Sequence, residues 1–278
     1  MNRFLSVFAD VLIGGIVFAE FFIFSIFSGL LNNGHPALKI VLLLAYILAV
    51  VLTVRYLLQR IGNISFRQIG FNFKGFFKNT LHGFSLAVIF IAAIFLLSEM
   101  IYGNKFQFEH QLNKNELLSA AVSCLFIGLW EELLFRGYIM VILLKNKVNV
   151  FLSIVISSAL FGSIHSFGMD AYDSPLFPLS VMGIGCIIGI IYLSSGSLVI
   201  PIVFHWVWDI LATILFRKEI GIIVIPDILV FNHVFQNLIL VFILLMIPVM
   251  LLFYRKKNLV IQLENEGSKT EQAETATV

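Results

Sequence analysis

Trp130-Glu131-Glu132-Leu133-Leu134-Phe135-Arg136-Gly137 places three charges inside an apolar run that reaches back to Leu117 and on to Leu144. A charge at the centre of a membrane helix costs roughly 2.5–3.5 kcal/mol, so three of them facing lipid would cost on the order of 10 kcal/mol. They must face protein, a partner charge or water. On a helix Glu132 and Arg136 are i and i+4 and share a face, so that carboxylate can be neutralised locally. Glu131 points about 100° away and has no such local partner. An intramembrane carboxylate without a local counter-charge is a functional-site candidate.

The rest of the chain fits that setting. Its 278 residues are 60% hydrophobic and 12% charged with a mean hydropathy of +1.00, whereas soluble domains are about 25% charged. The fold class implied is an all-α polytopic membrane helix bundle. Cys124 and Cys186 both sit in apolar runs, which argues for thiols and against a disulfide framework. With a net charge of +2 and no basic cluster beyond membrane-flanking positions, nothing points to nucleic acid. The first apolar run continues to about Leu31, too long for a signal-peptide core, and Asn32-Asn33-Gly34-His35-Pro36 is a loop with no small-residue cleavage site.

Runs of spanning length, about 20 residues, fall near 4–31, 37–58, 79–102, 115–144, 149–167, 177–194, 197–216 and 233–254. The sequence therefore predicts about eight transmembrane helices. Arg3, the group Arg55, Arg60, Arg67, Lys74 and Lys78, then Lys145 and Lys147, and finally Arg255-Lys256-Lys257 all fall on one side, which the positive-inside rule makes cytoplasmic. Both termini are expected there. Residues 1–257 read as one membrane-embedded domain with a motif core at 126–209, and 258–278 as a polar cytoplasmic tail expected to be disordered. The connection from Asn63 to Asn79 mixes five phenylalanines and two isoleucines with Arg67, Lys74 and Lys78. An interfacial segment on an anionic leaflet has that composition, although an ordinary amphipathic connector is the plainer reading. Asp10 and Glu20 in the first run are expected to serve packing or snorkelling, and the Gly185 to Gly189 GxxxG to let helices pack closely inside the bundle.

Two further runs repeat the anomaly. One ends in Phe161-Gly162-Ser163-Ile164-His165, and another contains His205-Trp206-Val207-Trp208-Asp209, where His205 and Asp209 share a helix face. Each alone has a bland reading as an interhelical hydrogen bond or a structural ion pair. Together, in a chain with so few charges, they resist explanation by packing alone. A carboxylate partly desolvated in a cavity can act as a general base on water. Histidines from neighbouring helices can stabilise an oxyanion, return a proton to a leaving amine, or ligate zinc. No GxSxG or HExxH occurs, and the cysteines lack an obvious local base.

Glu131-Glu132-x-x-x-Arg136, Phe161-x-x-x-His165 and His205-x-x-x-Asp209, in this order, resemble the three motifs of the CAAX-prenyl-protease and bacteriocin-processing family (CPBP, also called Abi). Gly189-Ile190-Ile191-Tyr192-Leu193-Ser194-Ser195-Gly196-Ser197-Leu198 is also similar to that family's pattern. The resemblance covers about Phe126 to Asp209. It implies an eight-helix intramembrane endopeptidase in which Glu131 activates water and His165 assists. It further implies that His205 and Asp209 form the oxyanion-stabilising or ligand side, with Glu132 and Arg136 orienting the first carboxylate. Relatives that cleave prenylated proteins typically carry Asn where Asp209 stands. Asn can donate to an oxyanion and an ionised Asp cannot, so Asp209 is expected to orient His205 or bind a cation. The family has been described both as metalloproteases and as metal-independent glutamate proteases. Were zinc the cofactor, Glu131, His165, His205 and Asp209 would be its ligands; the reading here leans to no tightly bound metal.

The expected protein is thus an intramembrane protease of a bacterial plasma membrane, acting on an unprenylated peptide or membrane-protein substrate in bacteriocin processing or self-immunity. Two other classes compete: a proton- or ion-coupled transporter, since Glu, His and Asp on facing helices also make a proton relay, and a non-catalytic immunity or binding protein. Depth raises a difficulty. At 1.5 Å per residue, Glu131 lies about 21 Å from Lys145, His165 about 24 Å from Asn149 and His205 about 12 Å from Ser197. Those three starting points share a side, so the residues meet only if helices are tilted, offset or differently bounded.

Overall fold

The computed structural model describes residues 3–30, 36–61, 63–72, 75–102, 107–108, 114–165, 177–216, 223–224 and 241. Seven helices lie among the described residues: α1 (Arg3–Leu30), α2 (Pro36–Arg60), α3 (Phe76–Tyr102), α4, α5 (Val150–Ile164), α6 (Phe177–Ser195) and α7 (Val199–Phe216). Helix α4 is composite, an α-helix over Lys114–Glu132, a π-helix over Leu133–Met140 and a last α-helical turn over Val141–Lys145. The run expected at 233–254 falls, apart from Val241, outside the described residues, as does the tail at 258–278. Four stretches, Val41–Arg60, Phe76–Leu97, Leu117–Lys145 and Phe177–Ser195, are long and apolar enough to cross a membrane, and Ser6–Val17, Val150–Ile164 and Val199–Ile214 are shorter apolar helices. Among the described residues, a two-residue antiparallel bridge, Gln107–Phe108 with Ile223–Val224, is the small exception to helical structure.

Helix α4 is the axis of the bundle. Every residue from Trp130 to Leu143 is buried, so this stretch is enclosed on all sides and its charges never meet lipid. The outer helices show the reverse pattern, with large apolar side chains such as Phe77, Leu81 and Ile89 on α3 turned outward. Helix α7 packs against α3 and α4, α5 against α6, and α1 against α2. Between α1 and α2, Thr53 Oγ1 donates to Glu20 Oε1, and Tyr138 Oη on α4 donates to the Asp10 carbonyl at 3.1 Å. The first-helix acid Glu20 is therefore a packing contact.

Close approaches are made where side chains vanish. A Cβ on Gly128 would lie 3.2 Å from the Trp206 nitrogen, which brings the α7 backbone against α4, and Trp206 Nε1 seals that seam by donating to the Ala121 carbonyl at 2.8 Å. Gly185 faces Phe161, Ser158 and Arg136, and Gly189 faces Met140 and Ile154, so the GxxxG packs α6 onto α4 and α5 inside the bundle. At Gly162 a Cβ would meet the Pro178 carbonyl at 2.6 Å. That neighbour is backbone and cannot rotate away, so Gly162→Ala should force α5 and α6 apart. A loss of about 1–3 kcal/mol is expected, read as a lowered melting temperature in detergent.

The helix ends follow local chemistry. Asn149 caps α5, its side chain accepting from the Phe151 nitrogen at 2.8 Å. The run expected to continue to 167 stops as a helix at Ile164, with His165 as its cap residue. Pro201 lies in the first turn of α7, where a missing N–H breaks no helical bond. Between α2 and α3, the segment around Ile64–Phe71 is docked rather than draped. Leu198 N donates to the Gly70 carbonyl at 3.1 Å, Tyr192 Oη to the Ile69 carbonyl at 3.0 Å, and Asn79 Nδ2 to Ser197 Oγ at 3.0 Å. Gly70 has φ +76°, and a Cβ there would lie 2.3 Å from the Gly196 carbonyl, so glycine is required on both counts. This clasp fixes the α6–α7 turn and hence the start of the helix that carries His205.

Candidate active site

Glu131 and Glu132 end the α-helical part of α4 and Arg136 lies inside its π segment. Stretches of π-helix are rare and occur often at functional sites. The sequence reading draws an unbroken α-helix here, so the wider turn is a finding of the structure. The Phe135 carbonyl within it accepts from Ser157 Oγ of α5 at 2.8 Å, giving one backbone acceptor of the π segment an interhelical partner.

Arg136 and Glu132 are both fully buried, and Nη1 donates to Oε1 at 2.8 Å. The second arm of the guanidinium, Nη2, donates to the Gly185 carbonyl at 2.8 Å, and its carbon sits 4.7 Å from the centre of the Phe161 ring. One arginine thus ties α4 to α5 and α6. Glu132 does not turn to Glu131. Its Oε1 accepts from Nδ1 of His205 at 2.9 Å, and because a carboxylate only accepts, this contact assigns a proton to Nδ1. The imidazole is therefore oriented by Glu132, while Asp209 Oδ2 lies 3.5 Å from its other nitrogen.

His205 Nε2 is the meeting point of the site. Glu131 Oε2 stands 3.6 Å from it and Asp209 Oδ2 3.5 Å. Glu131 and His205 are each 4% exposed, whereas the Asp209 side chain is 27% exposed. The carboxylate left without a local counter-charge by its own helix faces His205 Nε2 of α7. His165, at the end of α5, donates Nδ1–H to the Phe161 carbonyl at 2.9 Å, which leaves Nε2 as its acceptor nitrogen. The Phe161 ring separates the two imidazoles, 4.9 Å from His165 and 5.7 Å from His205, centre to centre.

Glu131, Glu132, Arg136, Phe161, His165, His205 and Asp209, from α4, α5 and α7, are thus gathered around one centre. The depth problem is resolved by the crossing of α7 over α4 at Gly128, which brings His205 level with the two glutamates. The match lies in part of the chain. Residues 113–211 match the Rce1-like family model, type II CAAX prenyl endopeptidase. That Rce1-like segment runs from the start of α4 into α7 and contains all seven residues, in agreement with the resemblance drawn from the motifs. No curated protein and no solved structure matches the chain.

Tyr46 on α2 is a neighbour that the motifs do not contain. It is 6% exposed and lies within electrostatic reach of both Glu131 and Glu20. A tyrosine inside an apolar run was the only signal for it in the sequence. As for a metal, among the described residues no three His, Cys, Asp or Glu side chains are placed to hold one. His205 Nδ1 and His165 Nδ1 are both committed to protein acceptors, and only Nε2 of each could serve as a ligand.

Proposed function

We propose that the chain is an intramembrane endopeptidase that hydrolyses a peptide bond of a membrane-associated peptide or protein with water activated by Glu131. The observation that carries this reading is the buried Glu131–His205–Glu132–Arg136 chain inside the Rce1-like segment. Arg136 holds Glu132, Glu132 holds His205, and His205 Nε2 faces the Glu131 carboxylate. Glu131 would take a proton from water as its oxygen attacks the carbonyl carbon, and the same proton would pass to the amine nitrogen as the C–N bond breaks. His205, in its protonated form, would donate Nε2–H to the developing oxyanion, and His165, on the far side of Phe161, would offer its acceptor Nε2 to the attacking water. Asp209 would balance the charge that His205 acquires.

The setting proposed is a bacterial plasma membrane with both termini cytoplasmic, and the substrate an unprenylated peptide or membrane protein, as in bacteriocin processing or self-immunity. The test is cleavage of a transmembrane peptide library by purified protein in nanodiscs, read by mass spectrometry, with and without a chelator. Chelator-resistant cleavage supports the glutamate mechanism. Chelator-sensitive cleavage would make the enzyme a metalloprotease. Absence of cleavage by folded protein would favour transport or binding instead.

His205→Asn sharpens that test. The Asn amide nitrogen can occupy the place of Nδ1 and keep the contact with Glu132, but nothing replaces Nε2. Folding should be retained and cleavage reduced about 10²–10⁴-fold, the range of a lost acid–base or oxyanion group.

A further inference from the structure

At the end of α2, where the apolar helix gives way to Gln59-Arg60, lies a cavity of about 350 Å³. It is floored by Leu58 and Ile64 and rimmed by Arg55, Gln59, Ser65 and Arg67. Among the described residues no carboxylate lines it and none forms an ion pair with either arginine. Two guanidiniums over an apolar floor suit a group with several acceptor oxygens, because the planar fork of arginine donates in pairs to a phosphate.

A second observation says what the phosphate belongs to. Val41, Leu44, Leu48, Leu52 and Tyr56 on α2 are 59%, 58%, 59%, 53% and 61% exposed. At about 100° per residue, all five project within about 60° of one direction, and Arg55 and Gln59 fall in the same arc. The outward apolar stripe therefore runs straight into the basic cavity. A free anion would use the cavity alone, whereas a phospholipid uses both.

We propose that this cavity and stripe form a binding site for an anionic phospholipid, its phosphate between Arg55 and Arg67 and its acyl chains along the outer face of α2. The site is separate from the Glu131 centre. Ile64 of its floor belongs to the segment that clasps the α6–α7 turn through Ile69 and Gly70, so an occupied site would also brace that clasp.

The experiment is native mass spectrometry of the full chain in an uncharged detergent, titrated with phosphatidylglycerol, phosphatidylcholine or free glycerol 3-phosphate. Wild type should retain phosphatidylglycerol at about tenfold lower concentration than phosphatidylcholine, given the attraction of two arginines for an anionic headgroup. The variant R55Q/R67Q should lose that preference while folding, both positions being exposed. The variant R60Q/K78Q, which removes the same charge from exposed positions elsewhere, should keep it. Equal retention of the two lipids by wild type would overturn the proposal. A preference surviving in R55Q/R67Q, or lost equally in R60Q/K78Q, would overturn it too, the latter by reducing it to general surface charge. Retention of glycerol 3-phosphate as strong as that of phosphatidylglycerol would assign the cavity to a soluble phosphate and overturn the lipid.

Discussion

Glu131→Gln is expected to reduce cleavage of a transmembrane peptide about a thousandfold while the protein still inserts, folds and melts as wild type does. The two side chains are nearly isosteric, and among the described residues the buried Glu131 Oε2 makes no hydrogen bond whose loss would loosen the bundle, His205 Nε2 lying 3.6 Å away. What disappears is the base. His205 keeps its orientation, because that is set at Nδ1 by Glu132 at 2.9 Å and not by Glu131. The measurement is turnover number against substrate concentration in nanodiscs, with melting temperature on the same preparation. A fall in turnover at unchanged melting temperature and unchanged apparent affinity fits a group that acts on the reacting atoms. A variant that cleaves at wild-type rate would remove Glu131 from the chemistry and leave His205 with Asp209 as the pair to pursue.

The same pair of glutamates shows what a sequence can and cannot disclose. That Glu132 and Arg136 neutralise each other follows from helical spacing alone, and the structure has them at 2.8 Å. Seven helices lie close to where apolar length placed them, because the period and extent of hydrophobic runs are local properties. The partner of His205 was not legible in this way. The motif offers Asp209 four residues along the same helix, yet the shorter contact is to Glu132 on α4, and which helix lies opposite is decided by glycines at the crossing rather than by the motif. Tyr46 escaped for the same reason, since its nearness to Glu131 depends on how α2 packs. The π segment at Leu133–Met140 escaped because its residues are ordinary helix-compatible ones, with only Gly137 to weaken the α form.

Arg136→Ala should be the most destabilising single change in the site, by about 3–5 kcal/mol, because it leaves a buried carboxylate without its counter-charge. Glu132 and Arg136 are fully buried, so water cannot replace the lost guanidinium. The same truncation strips the Gly185 carbonyl of its donor and Phe161 of the cation 4.7 Å from its centre, loosening α6 and α5 from α4 at once. Folded yield and melting temperature in detergent read this directly. The pair can then be removed as a unit. Glu132→Leu with Arg136→Met leaves no buried charge unpaired, and buried ion pairs replaced by apolar residues of similar volume are often no less stable. Much of the lost stability should therefore return in the double variant. Activity should not, because His205 would have lost the acceptor that orients it. Recovery of both together would mean that the ion pair serves the fold alone, and that the imidazole finds its orientation elsewhere.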